Sequence, residues 1–173
     1  MGTMPANAAN RATASNPGSI LGVDYGRARI GLAIADAETR MPRPLVTLER
    51  INRNEDMRRL RELAREHGVR QIVVGLPLRL DGTRGDMAEE ATRFAARLHK
   101  QLGLPVDMVD ERLTSWEAER LLEEQSGRAL HEAKSHGKGA RPTRASVDAV
   151  AAAVILKEYL DQRHATKDDP QNI

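Results

Sequence analysis

Apolar and polar positions between residues 19 and 161 fall into short runs separated by glycines, prolines and small polar residues. Ile20-Leu21-Gly22-Val23-Asp24-Tyr25 is an apolar run ending in an acid, and it predicts a buried strand. A tight turn at Gly26-Arg27-Ala28 leads to a second strand over Arg29 to Asp36, so the two form a hairpin. Pro42 and Pro44 break regular structure, and Leu45 to Glu49 reads as a third strand. Asn54 is placed to cap a helix carrying Met57, Leu60, Leu63 and Ala64 on one face, and Gly68 ends it. Gln71 to Gly75 is a β-branched run that predicts another buried strand, followed by a loop to Gly85. Asp86 with Glu89 has capping-box spacing and opens a helix through Phe94 and Leu98 to about Leu102. Val106 to Asp110 is a fifth strand. Thr114 with Glu117 opens a further helix, and Ser146 caps a last one running to about Leu160. Three strands joined by hairpins, then strands alternating with helices, predict an α/β fold: a mixed five-stranded sheet flanked by helices on both faces.

Composition sets the limits of this domain. Residues 1–18 are rich in small and polar residues and predict a disordered N-terminal tail. Residues 162–173 predict a second tail, which leaves one domain over 19–161 of a 173-residue chain. With no cysteine, disulfides, thiolate metal sites and thiol catalysis are excluded. No apolar stretch approaches the roughly 20 residues of a membrane span, and the N-terminus lacks an apolar signal core, so a cytoplasmic protein is expected. The net charge of +2 hides a local excess. Residues 126–144 hold Arg128, Lys134, Lys138, Arg141 and Arg144 against the single acid Glu132, with three glycines interspersed. Arginines outnumber lysines 22 to 5, which reflects either compositional bias or a need for phosphate recognition.

Candidate chemistry lies with three acids. In sheets of this kind ligands gather at the carboxyl ends of the strands. Asp24 ends the first strand, Glu111 follows the fifth, and Asp148 sits in the first turn of the last helix on the edge of its apolar stripe. Each alone has a plainer explanation: a turn-forming Asp, a salt bridge to a neighbouring Arg, and a helix N-terminal acid favoured by the macrodipole. Jointly, three carboxylates at one sheet edge suit Mg²⁺ or Mn²⁺, which prefer hard oxygen ligands.

Four sequence blocks, in order, carry a resemblance. They are Val23-Asp24-Tyr25-Gly26 leading to Ile30-Gly31-Leu32-Ala33; Val74-Gly75-Leu76-Pro77-Leu78 with Asp81-Gly82-Thr83; Asp110-Glu111-Arg112-Leu113-Thr114-Ser115; and Ser146-Val147-Asp148-Ala149 with Ala151 and Ala152. From about Ile20 to Leu160 the chain resembles the YqgF family, also called RuvX. The resemblance implies an RNase H-like fold related to Holliday junction resolvases. It also implies a bacterial cytoplasmic nuclease that matures the 5′ end of pre-16S ribosomal RNA, with Holliday junction resolution as an older assignment. Asp24, Glu111 and Asp148 correspond to the acidic positions of the family's active site. One departure stands out: related nucleases often place a second acid at the end of the fourth strand, where this chain has Gly75-Leu76-Pro77.

On this reading Asp24, Glu111 and Asp148 are both metal ligands and catalytic residues, and one or two ions activate water. Arg27 and Arg112 are expected to contact the nucleic-acid backbone, with an ion pair as the alternative for Arg112 and a solvated turn as that for Arg27. Lys134, Lys138, Arg141 and Arg144 form a candidate clamp, or else a solvated linker. Arg29 is read as a solvated turn residue, and Tyr25 as the aromatic nearest the substrate. Gly75 either lets the backbone approach substrate or simply ends its strand. The expected partner is nucleic acid, pre-rRNA before branched DNA, with the small ribosomal subunit as a further partner, and the protein is a monomer or a homodimer. A non-catalytic RNA- or ribosome-binding module is the competing class. No G-x-x-x-x-G-K-[ST] phosphate loop is present, which argues against an ATPase.

Overall fold

The computed structural model describes residues 18–36, 38–113 and 144–165. Five strands, β1 (Ser19–Tyr25), β2 (Arg29–Ala35), β3 (Arg43–Glu49), β4 (Val69–Leu76) and β5 (Val106–Asp110), form one sheet in the order β3-β2-β1-β4-β5. The β1–β2 and β2–β3 pairs are antiparallel, and β1–β4 and β4–β5 are parallel. Helices α1 (Arg53–Glu66) and α2 (Asp86–Leu102) pack on one face and α3 (Arg144–Ala165) on the other. This is the mixed, doubly covered sheet that the sequence predicts. The helix expected from Thr114 lies outside the described residues. No helix among the described residues is long and apolar enough to cross a membrane.

Side chains alternate across the sheet, and the two faces differ in size. Leu21, Val23, Ile30, Leu32, Ile34, Ile72 and Val74 point toward α1 and α2, where they meet Met57, Leu60, Phe94 and Leu98. Each of these large side chains contributes roughly 1.5–3 kcal/mol by burial. The α3 face carries Gly22, Gly31, Ala33, Ala35, Val73 and Gly75. A Cβ at Gly22 would stand 2.8 Å from the Ala152 carbonyl oxygen, and one at Gly31 would overlap the Asp148 carbonyl. Bare backbone on this face is what lets α3 lie directly on β1 and β2. The far end of α3 is tied down by Tyr159, whose hydroxyl donates to Asp107 at 2.5 Å and accepts from Gln71 and Arg163.

Element boundaries depart from the sequence reading in instructive ways. β3 begins at Arg43 and contains Pro44. It is an edge strand, where a proline need not cost a ladder bond. The register slips there, with Leu32 opposite Val46 and Ala33 opposite Pro44, so Leu45 is left in a bulge. The cap of α1 is Asn52 rather than Asn54: its extended backbone lets its side-chain oxygen accept from the amides of Asn54 and Glu55. The capping box at Asp86 does not form. Gly85 is the N-cap, its carbonyl accepts from the Glu89 amide, and Asp86 is the first helical residue. Helix α3 starts at Arg144, ahead of Ser146, and runs to Ala165, past the boundary expected at 161. Phe94 is a core residue.

The contact between Gly31 and the Asp148 carbonyl gives a test of this packing. Gly31→Ala should cost about 1–3 kcal/mol by forcing α3 away from β2. Chemical denaturation should show a lowered midpoint with an unchanged slope.

Candidate active site

Three elements bring the acids to one end of the sheet. Asp24 is the penultimate residue of β1, opposite Gly31 in the β1–β2 ladder, and its position in the alternation puts its side chain on the α3 face. Asp148 lies one turn inside α3, not in the first turn as the sequence suggested, because the helix starts earlier. Its backbone carbonyl rests on Gly31. Glu111 follows β5 in a 3₁₀ turn over Glu111–Leu113.

The position of Glu111 explains the missing acid on β4. A Cβ built on Gly75 would collide with Glu111 Oε1, and would lie 2.7 Å from Ile155 Cδ1. The space that a β4 side chain would fill is taken by a carboxylate reaching across from the neighbouring strand. Gly75 therefore makes room for Glu111.

The electrostatics tie the acids together. Burial, then the nearby Asp148 charge, pushes the Asp24 carboxyl up to about 6. Burial, then the charges of Asp24 and Asp110, pushes Glu111 up to about 7. Asp148 accepts a 2.7 Å hydrogen bond from Arg29 Nε. Among the described residues no three acids or histidines are grouped closely enough to ligate one ion by themselves. The donor set nonetheless suits a hard dication. It consists of carboxylate oxygens from three elements, with Asp24 close enough to both Asp148 and Glu111 for their charges to interact. Mg²⁺ commonly uses only one or two carboxylates, taking its other ligands from water and substrate phosphate.

The family profile described as "RuvX: Holliday junction resolvase" matches residues 18–162. A protein of Anaeromyxobacter sp. strain K named "Putative pre-16S rRNA nuclease" is 48% identical over 143 residues, covering 83% of this chain and 96% of its own. A protein of the same name from Azotobacter vinelandii is 42% identical over 151 residues, covering 87% and 99%. The chain belongs to the RuvX family. Its fold is also that of T. thermophilus RuvC, solved in complex with a Holliday junction substrate, at a TM-score of 0.51 and 17% identity over 86% of this chain and 97% of that one. The RNase H-like architecture inferred from the four sequence blocks therefore stands.

In this RuvX protein the arginines are distributed differently from the sequence reading. Arg29, read as a solvated turn residue, is the ion-pair partner of Asp148. Arg27 turns to the opposite face, where its guanidinium donates to both oxygens of Glu90 on α2. Arg112 pairs with Asp110 at 2.6 Å, the ion pair that was its alternative reading, and its guanidinium lies over Gly82. Tyr25 also faces away from the acids, its ring centroid 4.7 Å from that of Phe94. Lys134, Lys138 and Arg141 lie outside the described residues, and Arg144 opens α3.

One organising residue had no signal in the sequence. Arg50 donates to Asp56 at 3.1 Å, to the Tyr25 hydroxyl at 2.8 Å and to the Gly26 carbonyl at 3.3 Å. Asp56 is itself buried and accepts from the Ile51 amide. This strap fixes the turn that follows Asp24. Its partners come from three separate parts of the chain, and no local pattern announces such a set.

Raised carboxyl pKa values have a definite consequence for stability. Between about pH 4 and pH 7 the folded protein keeps protons on Asp24 and Glu111 that the unfolded chain has released. The metal-free protein should therefore lose stability as pH rises through this window. Asp24→Asn should remove its share, a gain on the order of 3 kcal/mol at pH 8. Urea titrations at pH 5 and pH 8 in chelator check both the slope and its flattening in the variant.

Proposed function

We propose that this RuvX protein is a divalent-metal-dependent nuclease that hydrolyses phosphodiester bonds, and that its task is 5′-end maturation of pre-16S ribosomal RNA. The observation that carries the metal-dependent part is the pair of half-buried carboxyls, Asp24 and Glu111, each raised by burial and by neighbouring negative charge. A site that concentrates negative charge at this cost is explained by the cation it is built to receive. The substrate assignment rests on the shared name of relatives that match the chain over nearly their whole length.

Asp24, Glu111 and Asp148 would hold Mg²⁺ or Mn²⁺. When bound, such an ion lowers the pKa of an attacking water and offsets the charge that develops on the phosphoryl group. The chain's own residues supply the geometry. Gly31 and Gly75 leave room for Asp148 and Glu111 beside Asp24. Arg29 orients the Asp148 carboxylate and balances part of the charge before metal arrives. Arg27 and Arg112 serve as backbone contacts only if phosphate displaces Glu90 and Asp110 from them. Lys134, Lys138, Arg141 and Arg144 supply a basic clamp for the nucleic acid, which is pre-rRNA either free or within the small ribosomal subunit.

The family description favours a second reading, resolution of Holliday junctions. It requires a symmetric dimer that cuts two strands, whereas RNA maturation is open to a monomer. The purified protein, with Mg²⁺ or Mn²⁺, should cleave a precursor rRNA fragment in preference to a four-way DNA junction. Activity should rise between pH 6 and pH 8, as Asp24 and Glu111 deprotonate, and vanish in chelator. Asp24→Asn should abolish cleavage and leave binding intact. Unchanged cleavage by that variant refutes the site. Preference for the junction replaces the first reading with the second, and binding without cleavage identifies a non-catalytic module.

A further inference from the structure

The end of β1 presents two different surfaces. Asp24 points to the α3 face. Tyr25, the next residue, points to the α1/α2 face and lines a cavity of about 210 Å³. Four arginines share the lining: Arg50, Arg53, Arg93 and Arg97. The one acid on the described wall, Glu90, is held by Arg27 at 2.8 Å. Its carboxyl lies below the usual range, through the Arg27 hydrogen bonds and then the charges of Arg27, Arg93 and Arg50. Arg50 is committed to Asp56 and the turn, and Arg93 makes a long 3.7 Å pair with Glu89. Arg53 and Arg97 have no acidic partner among the described residues. The Tyr25 hydroxyl accepts from Arg50, and its own proton has no acceptor there.

A cavity with surplus guanidinium donors and a free phenolic proton suits a tetrahedral oxyanion. Arginine forks match phosphate oxygens in pairs, and a phenol adds one directed bond. The cavity sits at the same sheet edge as the three acids and is separated from them by one step along β1.

We propose that this cavity is a second phosphate subsite, which grips a phosphodiester of the bound nucleic-acid strand away from the one cleaved. The proposal rests on the nuclease reading only for the identity of the strand. It requires binding and does not require cleavage.

Arg53→Gln/Arg97→Gln tests it without touching the buried core or the acids. Binding of a fluorescein-labelled single-stranded RNA, and of a duplex DNA of equal length, is followed by anisotropy in EDTA across a salt series. The variant should bind about tenfold more weakly, as loss of a charged hydrogen-bonded contact implies. The slope of log K against log salt should fall in magnitude by about 0.7 on the single strand or 0.9 on the duplex, one phosphate's worth. Arg58→Gln/Arg65→Gln removes the same charge from the surface of α1, outside this cavity, and should change neither quantity comparably. Equal losses in the two variants reduce the effect to net charge and overturn the subsite. So does unaltered binding by Arg53→Gln/Arg97→Gln, or a wild-type protein that binds neither nucleic acid. Selective loss of binding in a protein that cleaves nothing keeps the subsite and removes the nuclease reading.

Discussion

The close approach of α3 to the backbone of β1 and β2 is the constraint on which the candidate site depends. Side chains normally fill the gap between a helix and the sheet it covers. Here Gly22 and Gly31 present bare backbone, and the carbonyls of Ala152 and Asp148 occupy the space a methyl group would need. That contact fixes both the height and the rotation of α3 over the strands. It brings a helix residue, Asp148, close enough to a strand residue, Asp24, for their charges to interact. Gly75 serves Glu111 in the same way from the other side. Most of the large strand side chains lie on the opposite face, where α1 and α2 cover the larger core.

Such a site works against its own scaffold. Two half-buried carboxyls, pushed up to about 6 and about 7, resist ionisation below neutral pH. Arg29 pairs with Asp148, whose charge bears on Asp24. The core on the α1/α2 face must carry that cost, and in the proposed function a bound cation would remove it.

Much of this was legible in the sequence because it is local. Alternating apolar runs located all five strands, and an acid at the end of β1 with another after β5 marked one sheet edge. What the sequence hid depends on contacts between distant segments. Glu111 fills the gap above Gly75 only because β4 and β5 are parallel neighbours in one register. Arg29 meets Asp148 across 119 positions, and Arg27 meets Glu90 across 63, on opposite faces of the sheet. Pro44 looked like a breaker because nothing in the local pattern said that β3 would be an edge. Asn52 and Asn54 are both competent caps, and the choice between them is made by how the chain leaves β3.

The alternation at the end of β1 also separates two kinds of charge that would cancel if they were adjacent. An arginine cluster beside Asp24 and Glu111 would neutralise them through direct ion pairs, as Arg29 already does for Asp148. Placing the surplus guanidinium groups of Arg53 and Arg97 beneath the other face keeps the thickness of the sheet between them and the acids. The acids thereby stay on the α3 face, and the α1/α2 face keeps the donors of the proposed phosphate subsite. In the proposed function, a polyanion that crosses this edge would meet the guanidinium groups directly and the acids through the cation they would hold.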